Sequence, residues 1–299
     1  MADIKKAVRE NVGDDFFVDT TCINCDTCRQ LAPDTFKDQG EHSFVYSQPH
    51  QEAERRAATR ALLCCPTGSI GTRGRNEAKE VMEDLPLLIE DNVYYCGFNS
   101  PKSYGGNSFF VQHEDGNWMI DSPKFLPHLV ESFSELGGIK YIFLTHQDDV
   151  AEASRYAQEF GAKRIIHHAD LSGEADSEIV VQGIDELEIA PQFFVIPTPG
   201  HTKGHMVLLY KEKFLFTGDH LAYDTEYDSL AAFRRHCWYS WEEQTISMER
   251  LLKYRFEWVL AGHGKRVKRV GFEMHQMLKD LVERMQLPSD EWYAHTSSE

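Results

Sequence analysis

Five of the chain's seven cysteines fall within its first 65 residues. The run CINCDTC sets Cys22, Cys25 and Cys28 at C-x2-C-x2-C, and CCPTGSI adds Cys64 and Cys65. Three thiols in so short a run wrap a loop around one compact centre, and a fourth thiol before a proline completes a set of four. A disulfide framework wants an even count and an oxidising setting, so metal or cluster ligation is the better reading. A zinc site is the alternative, but zinc sites usually pair two C-x2-C knuckles. A second group is spread over the rest of the chain. LTHQDD, TPGHTKGH, FTGDH and LAGHG each close an apolar run on a potential ligand: His146, His201, Asp219 and His263. Loops at strand ends are where a rigid scaffold displays its reactive groups. Asp148 and Asp149 either join that chemistry or cap the helix that DDVAEASRYAQEF begins, where acids satisfy free amides and oppose the dipole. Capping is the reading for Asp149, and Asp148 stays open between capping and ligation.

The elements that must position these groups are legible in outline. SFVYS reads as a strand and EAERRAATRALL as a helix that brings Cys65 back to the other thiols. TRGRNEAKEVMEDLP is a charged linker or short helix. Beyond it VYYCGF, SFFVQ and WMID, separated by turn signals, read as antiparallel strands. Helical stretches then alternate with strands, which gives a mixed sheet with helices packed outside it. GFEMHQMLKDLVERMQL is apolar at helical period and docks on a core or a partner, and the tail HTSSE is expected to be disordered. The division is 1–75, a linker at 76–90, and 91–299. Charge follows it: residues 1–75 carry 10 Lys and Arg against 11 Asp and Glu, so nearly all of the net −17 lies in the remainder.

The N-terminal quarter, about 12–72, resembles bacterial-type ferredoxins. Two-cluster members continue the run as C-x3-C-P, and here those positions read Ala32-Pro33. The resemblance therefore implies a single 4Fe-4S cluster on Cys22, Cys25, Cys28 and Cys65. From about 92 to 265, TPGHTKGH, TGD, GGNSFF and MIDSP resemble the metallo-β-lactamase fold, an αβ/βα sandwich with metals on loops at one edge of two sheets. The whole fold class is thus α+β followed by α/β. That family's first motif is H-x-H-x-D-H; here His146 keeps the first place, Asp148 stands at the second, and Val150 and Ala151 replace the last two. The resemblance then implies a metal on His146, His201 and Asp219, and leaves a second metal only Asp219 and His263. A 2-His-1-carboxylate set is associated with non-heme iron. Persulfide dioxygenases resemble that arrangement, and flavodiiron proteins put a carboxylate where Asp148 stands. Iron is preferred over zinc on this basis, with Asp148 as ligand or tuner of a bound water and His263 as donor or acid. His205 is expected to order the glycine-rich turn, His220 to approach the metal, His167 and His168 to end a strand, and Cys96 and Cys237 to pack.

The functional expectation is an iron-sulfur electron-transfer protein coupled to redox chemistry at a mononuclear site, served by a redox partner protein. A metallohydrolase with a reduced metal site, acting on an ester, thioester or lactam, is the second reading. A non-catalytic binding module is the third. The net charge of −17 argues against nucleic acid. No apolar run approaches a membrane span, and MADIKKAVRENVGDD lacks a signal peptide's apolar core. A soluble, reducing compartment, cytoplasm or plastid stroma, is expected.

Overall fold

The computed structural model describes residues 2–74 and 77–288; the HTSSE tail lies outside them. The chain divides into two compact units, Met1–Ile139 and Lys140–Glu299.

In the first unit, strand Phe16–Val18 pairs antiparallel with Ile70–Thr72, and Phe36–Asp38 with Ser43–Val45. Helix Glu52–Cys64 begins on a capping box, in which the Gln51 and Glu54 side chains each accept the other's backbone N–H, the reciprocal arrangement that satisfies orphan amides. It ends where Pro66 disfavours helical backbone at Cys65. Ala58 and Ala61 on its buried face let it lie against Phe16, Phe36, Val45 and Ile70, a core that includes Cys28 and Cys65. The segment expected as a linker carries helix Ala78–Val81 and strand Leu87–Glu90, and Asp84 within it pairs with Arg56 and Arg60. A four-stranded antiparallel meander follows, Leu87–Glu90, Val93–Tyr95, Phe109–Val111 and Trp118–Ile120. Helix Pro127–Glu135 stacks Phe133 on Phe110 with ring centroids 5.0 Å apart.

The second unit opens with three parallel strands, Tyr141–Phe143, Lys163–His167 and Ile179–Val181, the first two joined through helix Ala153–Phe160, which Gly161 ends in a left-handed turn. A six-stranded sheet runs in the order Leu187–Ala190, Phe193–Pro197, Met206–Tyr210, Phe214–Gly218, Trp258–Ala261, Val267–Lys268. Phe214–Gly218 and Trp258–Ala261 are its parallel pair. Helices Trp241–Leu251 and Gly271–Met285 cover it, with Met248, Leu251, Leu278 and Leu281 buried against Val207, Leu209, Leu215 and Val259. Strands buried on both sides read as continuous apolar runs, as Met206–Tyr210 (MVLLY) and Phe214–Gly218 (FLFTG) do. Among the described residues no helix is long and apolar enough to cross a membrane.

Behind the parallel strands Arg164 grips Glu178 through its backbone N–H and guanidinium, each at 2.7 Å, and Glu174 at 2.5 Å. The guanidinium holds Glu178 at about 2 against an ordinary 4.5. A depressed carboxylate stabilises fully above its unfolded pKa and loses that contribution as pH falls through the folded one. The stability advantage of the wild type over Arg164→Met is therefore expected to be full above pH 4.5 and to fade toward pH about 2. Denaturant midpoints across that window check it, and a constant difference contradicts it.

Candidate metal and cluster sites

Cys22, Cys25, Cys28 and Cys65 line one small cavity, together with Val18, Thr27, Ser43 and Ile70. Asn24 and Asp26 take left-handed backbone, φ 57° and 66°, and so curl the loop between the thiols; short Asx side chains tolerate that region. Backbone amides point at sulfur: Asn24 N–H at 3.5 Å from Cys22 Sγ and Ser69 N–H at 3.3 Å from Cys65 Sγ. Burial pushes the thiols of Cys25 and Cys28 up, so in this apolar cavity they ionise only against a cation. Four convergent thiols with amide donors fit an iron-sulfur cluster, which takes four thiolates. Cys64 stands outside that lining. It is fully buried, beside Tyr95 and the Phe98 backbone, and burial pushes it up to about 11. Cys65→Ala is expected to abolish visible cluster absorbance and Cys64→Ala to leave it; cluster retained in the former or lost in the latter would reverse the assignment.

The second site lies wholly within Lys140–Glu299. His146 follows strand Tyr141–Phe143, His201 follows Phe193–Pro197, Asp219 follows Phe214–Gly218 and His263 follows Trp258–Ala261. Their strands bring them together. His146 Nε2 lies 3.7 Å and His201 Nε2 3.6 Å from Asp219 Oδ2, and both lie 3.9 Å from Asp148 Oδ2. Both Nε2 atoms are buried with no hydrogen-bond partner. The opposite ring nitrogen is engaged in each case: His146 Nδ1 sits 3.0 Å from Thr145 Oγ1, and the His236 backbone holds His201. An outer hydrogen bond of this kind fixes which nitrogen faces a metal. Burial pushes both imidazoles down, His146 to about 3, so they are neutral and free to coordinate. Burial works to raise Asp219, but His263, in hydrogen-bond contact with Oδ1 at 2.7 Å, prevails and holds its carboxyl down. Asp148, half exposed at the pocket mouth, is raised chiefly by burial. Two orphaned imidazole nitrogens facing two carboxylates fit a metal ion.

Asp149 corrects the sequence reading. It caps no helix: residues Gln147–Asp149 form a separate 3-10 turn, Ala151 takes φ 40°, and helix Ala153–Phe160 starts from Glu152. Buried instead, Asp149 places Oδ2 3.9 Å from His263 Nδ1, which lies 2.7 Å from Asp219 Oδ1. Gly262 leaves room for both carboxylates, since a Cβ there would stand 3.0 Å from Asp219 Oδ1 and 3.1 Å from Asp149 Oδ2. The set expected to hold only Asp219 and His263 thus has a third member.

His205 lies behind the pocket, where its Nε2 accepts the Asp219 N–H at 3.3 Å and its Nδ1 sits 3.0 Å from Thr198 Oγ1. His220 stacks on His205 with centroids 4.0 Å apart, fully buried, and belongs to neither of the two groups among the described residues that could hold a metal, His146 with Asp148 and His201, and His146 with Asp149 and Asp219. His167 accepts the Ala169 N–H and contacts the Gly183 carbonyl. Two residues had no signal in the sequence. Asp170, buried, accepts the Gln147 N–H at 3.2 Å, the Thr202 hydroxyl at 2.5 Å and the Gly204 N–H at 2.8 Å. It ties the His146 loop to the His201 loop. Trp238, 63% exposed, lies 6.1 Å from the His201 ring, and its N–H and that of Tyr239 hold the His201 carbonyl.

Fold, site and sequence agree on a class. Residues 87–285, more than half of the chain, match the metallo-beta-lactamase superfamily, and the chain belongs to that family. Residues 18–72 match the 4Fe-4S single cluster domain of ferredoxin I, so a ferredoxin-type domain precedes it. Relatives include a protein named "Probable metallo-hydrolase YybB" of Bacillus subtilis, 26% identical over 154 residues, 44% of this chain and 70% of that protein. A hydroxyacylglutathione hydrolase of Citrobacter koseri is 32% identical over 127 residues, 41% of this chain and 50% of the enzyme. A metallo-beta-lactamase superfamily protein of Sulfolobus tokodaii overlays with TM-score 0.47 at 18% identity, over 67% of this chain and 88% of the other.

Proposed function

We propose that the metallo-beta-lactamase domain binds one metal, iron in preference to zinc, through His146, His201, Asp219 and Asp148, and carries out redox chemistry there with electrons delivered by the ferredoxin domain. The observation that carries this reading is the donor set itself. Two neutral imidazoles with orphaned Nε2 atoms face two carboxylate oxygens at 3.6 to 3.9 Å, a composition suited to non-heme iron. Bound iron supplies a one-electron couple and open positions for substrate or oxygen. Asp148, half exposed, supplies Oδ2 as the fourth donor on the solvent-facing side of the site. His263 shares a proton with Asp219 Oδ1 at 2.7 Å and relays it from the partly solvent-facing side. Thr145, the His236 carbonyl and Asp170 hold the two imidazoles in place. An external one-electron protein donor is the partner this scheme requires. The test is anaerobic purification followed by iron, zinc and sulfide analysis. The expected result is about five iron and about four sulfide per chain, the excess over one cluster lying in the pocket. About four iron, with zinc or nothing in the pocket, would overturn it.

A hydrolytic reading has its own support: Asp149 joins Asp219 and His263 as a third donor, and the relatives are named as hydrolases. It places a water-activating metal chemistry in the pocket and makes the cluster structural or regulatory. Ester or thioester cleavage that requires zinc and ignores the oxidation state of the cluster would favour it.

A further inference from the structure

The connection between strands Val93–Tyr95 and Phe109–Val111 has an unusual backbone. Gly97, Phe98, Tyr104 and Gly105 all have positive φ, 74°, 47°, 50° and 88°, which is costly at Phe98 and Tyr104 because a Cβ crowds the neighbouring carbonyl. This shape seats the connection on the cysteine cavity. A Cβ at Gly105 would stand 2.8 Å from Cys25 Cβ and 3.1 Å from Cys25 Sγ, so the backbone approaches that ligand as closely as a glycine allows. Asn99, fully buried, lies in the same connection.

The amide of Asn99 has one orientation. Its Nδ2 lies 2.7 Å from the Gly105 carbonyl, which only accepts, and its Oδ1 accepts the Tyr95 hydroxyl at 2.6 Å. Nδ2 has two hydrogens: one goes to the Gly105 carbonyl, and the other is shared between Thr27 Oγ1 at 3.0 Å and Asn107 Oδ1 at 3.2 Å. As a cluster ligand Cys25 is a thiolate with no proton of its own, so the Thr27 hydroxyl, its oxygen accepting from Asn99, donates to Cys25 Sγ at 3.4 Å. A hydroxyl carries one donor and two acceptor positions, so the Gly105 carbonyl sets the direction of the Asn99–Thr27 bond and the ligating thiolate sets that of the Thr27–Cys25 bond.

We propose that Asn99, within the segment matching the metallo-beta-lactamase superfamily, is a positioning residue for the cluster: it aims the Thr27 hydroxyl at the Cys25 sulfur and thereby raises the cluster's reduction potential. Hydrogen bonds to ligating sulfur stabilise the more negative, reduced cluster, and are among the determinants of potential in these centres. One domain then sets the electron affinity of the other's cofactor through a single amide. This rests on the cluster assignment and is independent of what the His146 pocket binds.

The test is an EPR-monitored redox titration of the anaerobically purified full chain. Thr27→Val and Asn99→Leu are each expected to lower the reduced-to-oxidised ratio at a fixed potential about tenfold, a midpoint drop of about 59 mV for one electron. Thr27→Ser should keep the wild-type midpoint. The double variant should shift no further than Thr27→Val alone, because both changes remove the same bond. A cluster-loaded Thr27→Val with the wild-type midpoint, or fully additive shifts, overturns the inference. If Asn99→Leu takes up no cluster, the Thr27→Val and Thr27→Ser pair decides it. Absence of iron and sulfide from the wild type overturns the cluster assignment itself and the inference with it.

Discussion

Asp170→Ala is expected to unfold the His146–His201 loop pair locally, although the residue touches neither imidazole. Its carboxylate accepts three donors from two loops, Gln147 N–H, Thr202 hydroxyl and Gly204 N–H, in a position that is 1% exposed. Each buried donor left without an acceptor costs about 1–3 kcal/mol, so a loss of about 3 kcal/mol or more is expected in denaturant unfolding. Pocket metal affinity should fall about 10–100-fold, the usual effect of losing an outer partner of a ligand. Asp170→Asn keeps one acceptor oxygen and should be intermediate. Unchanged stability and metal retention in Asp170→Ala would show that the loops hold without it.

The second large effect is expected at the imidazoles themselves. His146→Ala and His201→Ala should each strip the pocket of metal, by more than the loss of an outer partner would, while leaving iron and sulfide of the cluster untouched. The separation is expected because the cysteine cavity is built from residues 18–70 and the histidine pocket from residues 146–263. These substitutions also remove two fully buried, neutral rings, so stability is measured beside metal content. Metal retained in both variants would move the site elsewhere.

Which parts of this were readable from the amino-acid sequence follows from how local each signal is. The cysteine spacing, helix Glu52–Cys64 and the strand ends carrying His146, His201, Asp219 and His263 all rest on short runs whose period or neighbours identify them. Asp149 was misread because the interruption after it is a backbone event. The 3-10 turn and the positive φ of Ala151 separate it from the helix and turn its carboxylate inward, and no side-chain pattern announces that. Asp170 and Asn99 were invisible for a different reason. Their partners lie 23 to 34 residues away for Asp170 and 72 residues away for the Thr27 contact of Asn99, and nothing in HHAD or GFNSP marks them. The early strands were legible as apolar runs, while the close approach of Gly105 to Cys25 depends on a loop shape that only the fold reveals.

We propose a redox-active metal held by His146, Asp148, His201 and Asp219 in the same chain as the cluster. Mössbauer spectroscopy of full-length protein grown on the enriched iron isotope tests it most directly. The account predicts cluster signals together with a separate high-spin iron signal, which is absent from His201→Ala and turns from ferric to ferrous when the cluster is the reduced electron source. A spectrum containing cluster iron alone, with zinc filling the pocket, would contradict it.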